Sequence, residues 1–219
     1  MALNERSFVH HIWTASFRRC PARPIFGLLA ATLALCLLVG EVLAVSGAPR
    51  PTRSALQDTL RVGDDAPTFV MDDLSTGEPV FLSDYTGTTL RQPWKNSARH
   101  VVVICFWSSW SEPSTEEIAA LSALAGKLAN KPVKVFLVNT GERAGVTRES
   151  LRTVVGERGY TLTVLVDATG TVADRYGVQQ LPQTAVADKQ GVLRMLHRGP
   201  GSLAGGELEA LVNALAEKP

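Results

Sequence analysis

Cysteine is scarce in this sequence, and its distribution excludes several kinds of site. The 219 residues contain three cysteines, Cys20, Cys36 and Cys105. The first two lie before or within an apolar run near the N-terminus, so the rest of the chain holds one thiol and forms no internal disulfide. Dithiol chemistry needs a thiolate that attacks sulfur and a second sulfur that resolves the mixed disulfide. The same count excludes a copper site with two cysteines and a histidine.

Histidine and net charge are also low. The sequence pattern places none of the four histidines beside a serine that it would activate as a nucleophile. The formal net charge is +1, and the positive excess lies before residue 25. The remaining chain is nearly neutral, so we expect no nucleic acid partner. We also expect no metal and no other cofactor.

One long apolar run stands near the N-terminus. Residues 25–45 are almost wholly apolar, and a run of this length is sufficient to span a bilayer. Arginines precede it, which predicts a cytoplasmic segment at 1–24 and a domain on the extracytoplasmic, periplasmic side of the inner (cytoplasmic) membrane. We expect an uncleaved signal-anchor; cleavage at the small residues 46–48 is the alternative. Residues 46–60 are predicted to form a polar tether, and 61–219 a domain.

The predicted domain alternates between strand-like and helix-like patterns. The predicted strands are Thr68–Met71, Pro79–Leu82, Val101–Trp107, Val133–Asn139, Thr163–Val166, Thr184–Asp188 and Val192–His197. The predicted helices are 115–131, Arg148–Glu157, Val172–Tyr176 and a last one carrying Leu208, Leu211, Val212 and Leu215. Strand–helix–strand units followed by a hairpin and a closing helix predict an α/β fold with a mixed central sheet flanked by helices.

Two serines stand in the turn after the most apolar predicted strand. Val101–Trp107 is followed by Trp110-Ser111-Glu112-Pro113-Ser114. Ser114 and Glu117 have the spacing of a capping box, and proline is favoured in the first turn of a helix. The pattern therefore predicts that Ser111 and Ser114 cap the next helix.

From about Leu60 to Leu215 the chain resembles the membrane-anchored, extracytoplasmic thioredoxin-like proteins of the TlpA/ResA type, within the redoxin (AhpC/TSA-like) group. The resemblance implies a thioredoxin-like fold. The matching segments are Val62–Phe69, Phe81–Tyr85, Phe106-Trp107 with Trp110, Val164–Asp167, Arg175–Val178, Leu181–Thr184 and Asp188–Gly191.

The chain departs from that family at three places. Ser111 and Ser114 occupy the positions of its reactive cysteine pair, so the resemblance implies a degenerate site with no catalytic residue. Cys105 stands where the family often has asparagine. The stretch Thr88–Arg99 looks like an insertion next to the active-site edge.

The resemblance also implies a groove for a polypeptide. In the family, the proline that matches Pro182 is cis and faces the dithiol, and the residue before it, here Leu181, pairs its backbone with the substrate. The tryptophan that matches Trp110 flanks this groove, and Pro113 lies in the adjoining turn. The predicted partner groove is therefore Trp110, Pro113, Leu181 and Pro182. A purely structural role for Pro182, at the start of the hairpin, is the alternative.

The sequence leaves two functions open. The first is a non-catalytic binding or accessory module for an extracytoplasmic protein or polypeptide, in the maturation of a cytochrome or another periplasmic redox protein. The second is a thiol-disulfide oxidoreductase or antioxidant protein that acts through Cys105 or through the thiol of a partner. Because Cys105 lies in a predicted buried strand, we expect it to be inert.

Overall fold

The computed structural model of the protein describes residues 60–202 and 204–218. Its centre is a sheet of the strands β1 Val70–Asp73, β2 Pro79–Phe81, β3 Val101–Trp107, β4 Val133–Thr140, β5 Thr163–Asp167, β6 Gln183–Ala187 and β7 Leu193–Arg198. The α-helices are α1 Glu112–Lys127, α2 Arg148–Glu157, α3 Thr171–Arg175 and α4 Glu207–Glu217. Short 3-10 turns lie at Leu82–Asp84 and Ala204–Gly206.

The strands form a mixed sheet in the order β2-β1-β5-β4-β3-β6-β7. The three central strands β3, β4 and β5 are parallel, and the other neighbours are antiparallel. This arrangement confirms the predicted α/β architecture. It also brings the carboxyl ends of β3, β4 and β5 to one end of the sheet, where open α/β sheets commonly bind ligands.

Strand β3 is the centre of the core. All seven of its residues are buried, because the sheet is covered on both faces; this explains its continuous apolar sequence. Cys105 and Trp107 belong to the cluster that packs against α1 and α4. Phe106 belongs to the cluster on the opposite face, where its ring centroid lies 5.2 Å from that of Tyr176.

Several predicted boundaries are confirmed and others are wrong. Helix α2 has the predicted bounds. The helix predicted at 115–131 instead begins at Glu112, with Pro113 in its first turn, and ends at Lys127. Ser114 is therefore inside α1, and the predicted capping box is wrong. Strand β1 begins and ends two residues later than predicted, because Asp73 pairs with Leu165 of β5.

The position predicted for the stretch Thr88–Arg99 is also wrong. The stretch leads into the first residue of β3, whereas the turn that contains Ser111 follows the last residue of β3. The stretch lines a depression together with Pro132, which precedes β4, and Lys189, which follows β6. It therefore lies at the opposite end of the sheet from Ser111.

The predicted membrane segment is outside the described residues, as are residues 1–24 and residues 46–59 of the tether. Among residues 60–202 and 204–218, no helix combines the length and apolarity needed to cross a bilayer.

Candidate functional site

The two serines lie side by side where α1 begins. Ser111 precedes the helix as its N-cap residue, but its side chain makes no capping hydrogen bond. The Ser114 hydroxyl instead donates to Ser111 Oγ over 2.8 Å. Both residues are buried, with relative exposures of 4% and 0%. Two adjacent hydroxyls at a helix N-terminus offer hydrogen bonds there but no redox chemistry.

No base that would activate either hydroxyl is in contact with it. Among the described residues, neither serine is hydrogen-bonded to a histidine or a carboxylate. His100 lies at the amino end of β3, and the His197 ring contacts the carbonyl of Pro200 over 3.1 Å. Activation of a serine nucleophile needs such a base within hydrogen-bond distance. The geometry therefore gives no support to hydrolysis by Ser111.

Cys105 is buried on β3 beneath α1 and α4. Its exposure is 0%, and it is the free cysteine of the described residues. Burial, together with the negative charge of Glu117, raises the pKa of the thiol to about 12, against a partial opposing effect of a hydrogen bond with Thr184. Because the reactive form of cysteine is an accessible thiolate, these surroundings disfavour reaction of the thiol. The predicted burial of Cys105 is confirmed.

Glu117 is a buried carboxylate that the sequence analysis did not select. It lies on α1 with 4% exposure, and it accepts hydrogen bonds from the Thr184 hydroxyl at 3.3 Å and the Gly201 amide at 3.0 Å. The Ser202 hydroxyl also donates to it. The sequence analysis considered Glu117 only as the partner of Ser114 in a capping box; the signal for a buried carboxylate was a charge on the apolar face of α1, beside Ile118.

The turn between β3 and α1 is held in place by the end of β4. The Glu142 carboxylate accepts from the amide and hydroxyl of Ser109, both at 2.6 Å, and from the Asn139 side chain at 2.6 Å. On the other side, the Arg158 guanidinium donates to the carbonyl of Ser109 over 2.8 Å. The charge-assisted bonds at Glu142 are among the stronger hydrogen bonds in proteins, so we expect a rigid turn.

A cleft opens beside this turn. It has a volume of about 830 Å³ and is lined by the carboxyl ends of β4 and β5 and by the start of α2. Trp110 and Leu181 both line it. Trp110 is 46% exposed, and its indole nitrogen donates to the carbonyl of Gly141 over 2.9 Å, which fixes the ring at the rim.

The structure thus brings together two of the four predicted groove residues, Trp110 and Leu181, in one cleft. The Leu181–Pro182 bond is cis, as the resemblance implies, but Pro182 is buried and does not line the cleft. Pro113 is exposed in the first turn of α1, also outside the cleft lining. Among the described residues, no group of three or more histidine, cysteine or acidic side chains is arranged to hold a metal ion.

Curated proteins with similar sequences are named for thiol chemistry. The thiol-disulfide oxidoreductase ResA of Geobacillus thermodenitrificans is 28% identical over 138 residues, which cover 63% of this chain and 70% of that protein. The thioredoxin-like protein YneN of Bacillus subtilis is 29% identical over 148 residues, or 68% of this chain and 78% of its own.

Solved structures and a family profile agree with this similarity. A thioredoxin domain of a thiol-disulfide oxidoreductase from Bacteroides vulgatus matches 71% of this chain and 100% of its own, with a TM-score of 0.56 and 20% identity. A secreted disulfide oxidoreductase of Mycobacterium tuberculosis matches 67% and 96%, with a TM-score of 0.52 and 22% identity. These likenesses confirm the thioredoxin-like fold. The AhpC/TSA profile matches residues 62–196, more than half of the sequence. The chain therefore belongs to the AhpC/TSA family, with thiol-disulfide oxidoreductases among its relatives.

Proposed function

We propose that this protein is a membrane-anchored, extracytoplasmic member of the family that binds a polypeptide without performing thiol–disulfide exchange. Ser111 and Ser114 would occupy the positions of the family's cysteine pair. Residues 25–45 would hold the protein in the inner membrane with its domain on the periplasmic side. Its role would be that of an accessory protein in the maturation of a cytochrome or another periplasmic redox protein.

One observation carries this proposal. The two serine hydroxyls are paired at 2.8 Å at the start of α1, while the cleft beside them remains open and carries an exposed tryptophan. Cys105, the one thiol of the described residues, is fully buried. This combination supports binding at the cleft and gives disulfide exchange no reactive atom.

The cleft has features suited to an extended polypeptide. Trp110 offers a large aromatic surface held by one hydrogen bond, and aromatic anchors of this kind contribute strongly to protein interfaces. Leu181 adds an apolar contact, and Glu142 and Arg148 add charges of both signs to the lining. Such a mixture favours a peptide over a wholly apolar ligand.

The experiment is a binding measurement with a probe that contains no thiol. The full chain in detergent is titrated against a fluorescein-labelled, unfolded, carboxymethylated protein, and binding is followed by fluorescence anisotropy. Trp110→Ala is expected to weaken binding about 30-fold, the effect of a hot spot of about 2 kcal/mol. Trp94→Ala is the matched control, because Trp94 is an exposed tryptophan at the opposite end of the sheet. Equal binding by both variants, or no binding by the wild type, would contradict the proposal.

The alternative is a thiol-disulfide oxidoreductase or antioxidant protein that acts through Cys105 or a partner thiol; ResA, one of the relatives, is named as a thiol-disulfide oxidoreductase. If it acts through Cys105, the full chain reduces or oxidises a model disulfide and Cys105→Ala lowers this turnover; if it needs a partner thiol, the chain alone shows no turnover. The accessory function predicts turnover equal to a blank without protein. The assay and the variant therefore separate the accessory function from an oxidoreductase that acts through Cys105.

A further inference from the structure

We propose that the segment 88–99 docks the domain on the surface of an anionic phospholipid membrane. We call this segment the basal loop, because it lies at the amino end of β3, opposite the serines. The cleft plays no part in this contact. The inference uses the membrane anchor of the proposed function, and its test separates the two.

The basal loop holds a large aromatic side chain in solvent. Trp94 is 70% exposed, the highest value among the exposed large apolar side chains of the described residues. Tryptophan is enriched at the membrane–water interface, because its ring is apolar and its N–H remains free to bond with water or headgroups.

Hydrogen bonds hold the basal loop against the rest of the domain. The Arg91 amide donates to the carbonyl of Ser83 over 2.8 Å, and the Asn96 side chain donates to the carbonyl of Asp84 over 2.7 Å. Arg99 donates to the carbonyls of residues 87 and 88 over 2.8 and 2.6 Å. These bonds tie both ends of the loop to the body of the domain, so Trp94 is presented from a defined platform.

The charge of the loop is of one sign. Between residues 86 and 99 the sequence contains Arg91, Lys95 and Arg99 and no acidic residue. Arg91 forms an ion pair with the buried Asp84 at 3.4 Å, whereas Arg99 is bonded to carbonyls, which carry no net charge. Lys95 is exposed beside Trp94. A basic side chain near an anionic bilayer surface is worth about 1 kcal/mol, so the loop complements such a surface.

Ala66, six residues after the first described residue, lies near the start of this loop. The Ala66 amide donates to the carbonyl of Gly191 over 2.7 Å, and the Gly87 amide, at the start of the loop region, donates to the carbonyl of Lys189 over 3.2 Å. The turn at 189–191 therefore links Ala66 to the start of the basal loop.

Docking through the basal loop would orient the cleft. The seven residues of β3 extend over about 20 Å, at about 3.3 Å for each step. The loop lies at one end of this strand and the serine turn at the other. A domain that rests on the loop would therefore present Trp110 and the cleft away from the bilayer, toward extracytoplasmic polypeptides.

The test is tryptophan quenching by lipids with brominated acyl chains. The full chain is reconstituted in vesicles that contain phosphatidylglycerol or phosphatidylcholine alone, each with and without bromine. In phosphatidylglycerol, Trp94→Phe is expected to remove a quenched component that Trp110→Phe leaves in place. Lys95→Gln is expected to lower the ratio of docked to undocked molecules about fivefold. In phosphatidylcholine the Trp94 component is expected to be smaller.

Two results would overturn the inference. One is equal quenching of the wild type and Trp94→Phe in phosphatidylglycerol, which would leave Trp94 in water. The other is a Trp94 emission shifted to the blue without bromine quenching, which would show that protein, such as a second copy of the chain, covers the loop. Failure of the anchor is recognised separately, because the full chain would then be extracted from membranes by alkaline carbonate. Failure of the cleft is recognised by the peptide titration in detergent.

Discussion

Alkylation of Cys105 is the measurement that most directly separates the two functions. The thiol has no exposed surface, and burial with the nearby charge of Glu117 raises its pKa to about 12. An alkylating reagent needs both access and a thiolate. The folded protein is therefore expected to react only when the core opens.

The size of the protection follows from the position of the residue. Cys105 packs in the cluster that α1 and α4 cover, so its exposure requires these helices to leave the sheet. If this opening costs about 5 kcal/mol, the lower end of ordinary domain stability, about one molecule in 5,000 is open at a time. We expect native Cys105 to react at least about 1,000-fold more slowly than the same residue in the unfolded chain.

The assay is a time course with N-ethylmaleimide at pH 8. The full chain is treated in detergent, with and without guanidinium chloride, and the Cys105 peptide is followed by mass spectrometry separately from those of Cys20 and Cys36. A native rate within about tenfold of the unfolded rate would refute the inference of an inert thiol. It would also favour the oxidoreductase.

The raised pKa of Cys105 leads to a second prediction, which concerns the pH dependence of stability. Because the folded pKa lies above the unfolded value of 9.0, the contribution of Cys105 to stability is complete below pH 9 and is lost as the pH rises toward 12. Between pH 8 and pH 10 this loss amounts to about 1.4 kcal/mol. Between these two pH values the unfolding free energy of Cys105→Ala is expected to fall by about 1.4 kcal/mol less than that of the wild type. Identical pH dependence of the unfolding free energies would refute the assignment.

Three further predictions test the site and its surroundings. The double variant Ser111→Cys, Ser114→Cys is expected to form an intramolecular disulfide under a mild oxidant, with a first thiol that titrates below the free value of ~8.5; thiol titration and mass spectrometry check this, and a pair that stays reduced contradicts it. Glu117→Ala leaves three hydrogen-bond donors without their acceptor and is expected to lower the unfolding free energy by about 2–3 kcal/mol, measured by guanidinium denaturation. Glu117→Gln is expected to lower it by less. Equal losses in the two variants would contradict the role of the carboxylate. Burial lowers the pKa of His100, so the contribution of this residue to the unfolding free energy is present above pH 6.5 and is lost as the pH falls. Between pH 6.5 and 5 the wild type is therefore expected to lose stability more steeply than His100→Gln. Thermal unfolding curves with the same pH dependence in both proteins would count against this.

Local patterns determined a large part of the fold. The continuous apolar run of β3 predicted a strand buried on both faces, and the strand has the predicted bounds because every residue packs in the core. Helix α2 also has its predicted bounds, since Thr147 and Ser150 form a reciprocal capping box at its start. In both elements the residues that decide the structure are close together in the sequence.

The errors at β1 and at the start of α1 have different causes: the first depends on a distant strand and the second on the local conformation at the start of a helix. Strand β1 extends to Asp73 because Leu165 of β5 pairs with it. Ser114 had the spacing of a helix cap, yet it lies inside α1, which begins at Glu112, and its hydroxyl donates a hydrogen bond to Ser111. The segment 88–99 was predicted at the active-site edge, although it precedes β3 and the two serines follow that strand, so the order of the elements already indicated the opposite end of the sheet.

The candidate site divides in the same way. The sequence alone showed that residues 61–219 contain one cysteine, because a count of cysteines needs no geometry. The buried carboxylate of Glu117 depended on tertiary structure, since its partners Thr184, Gly201 and Ser202 are at least 67 residues away along the chain. The cleft that contains Trp110 and Leu181 was likewise decided by the pairing of β3 with β6, which folds two remote segments onto one end of the sheet.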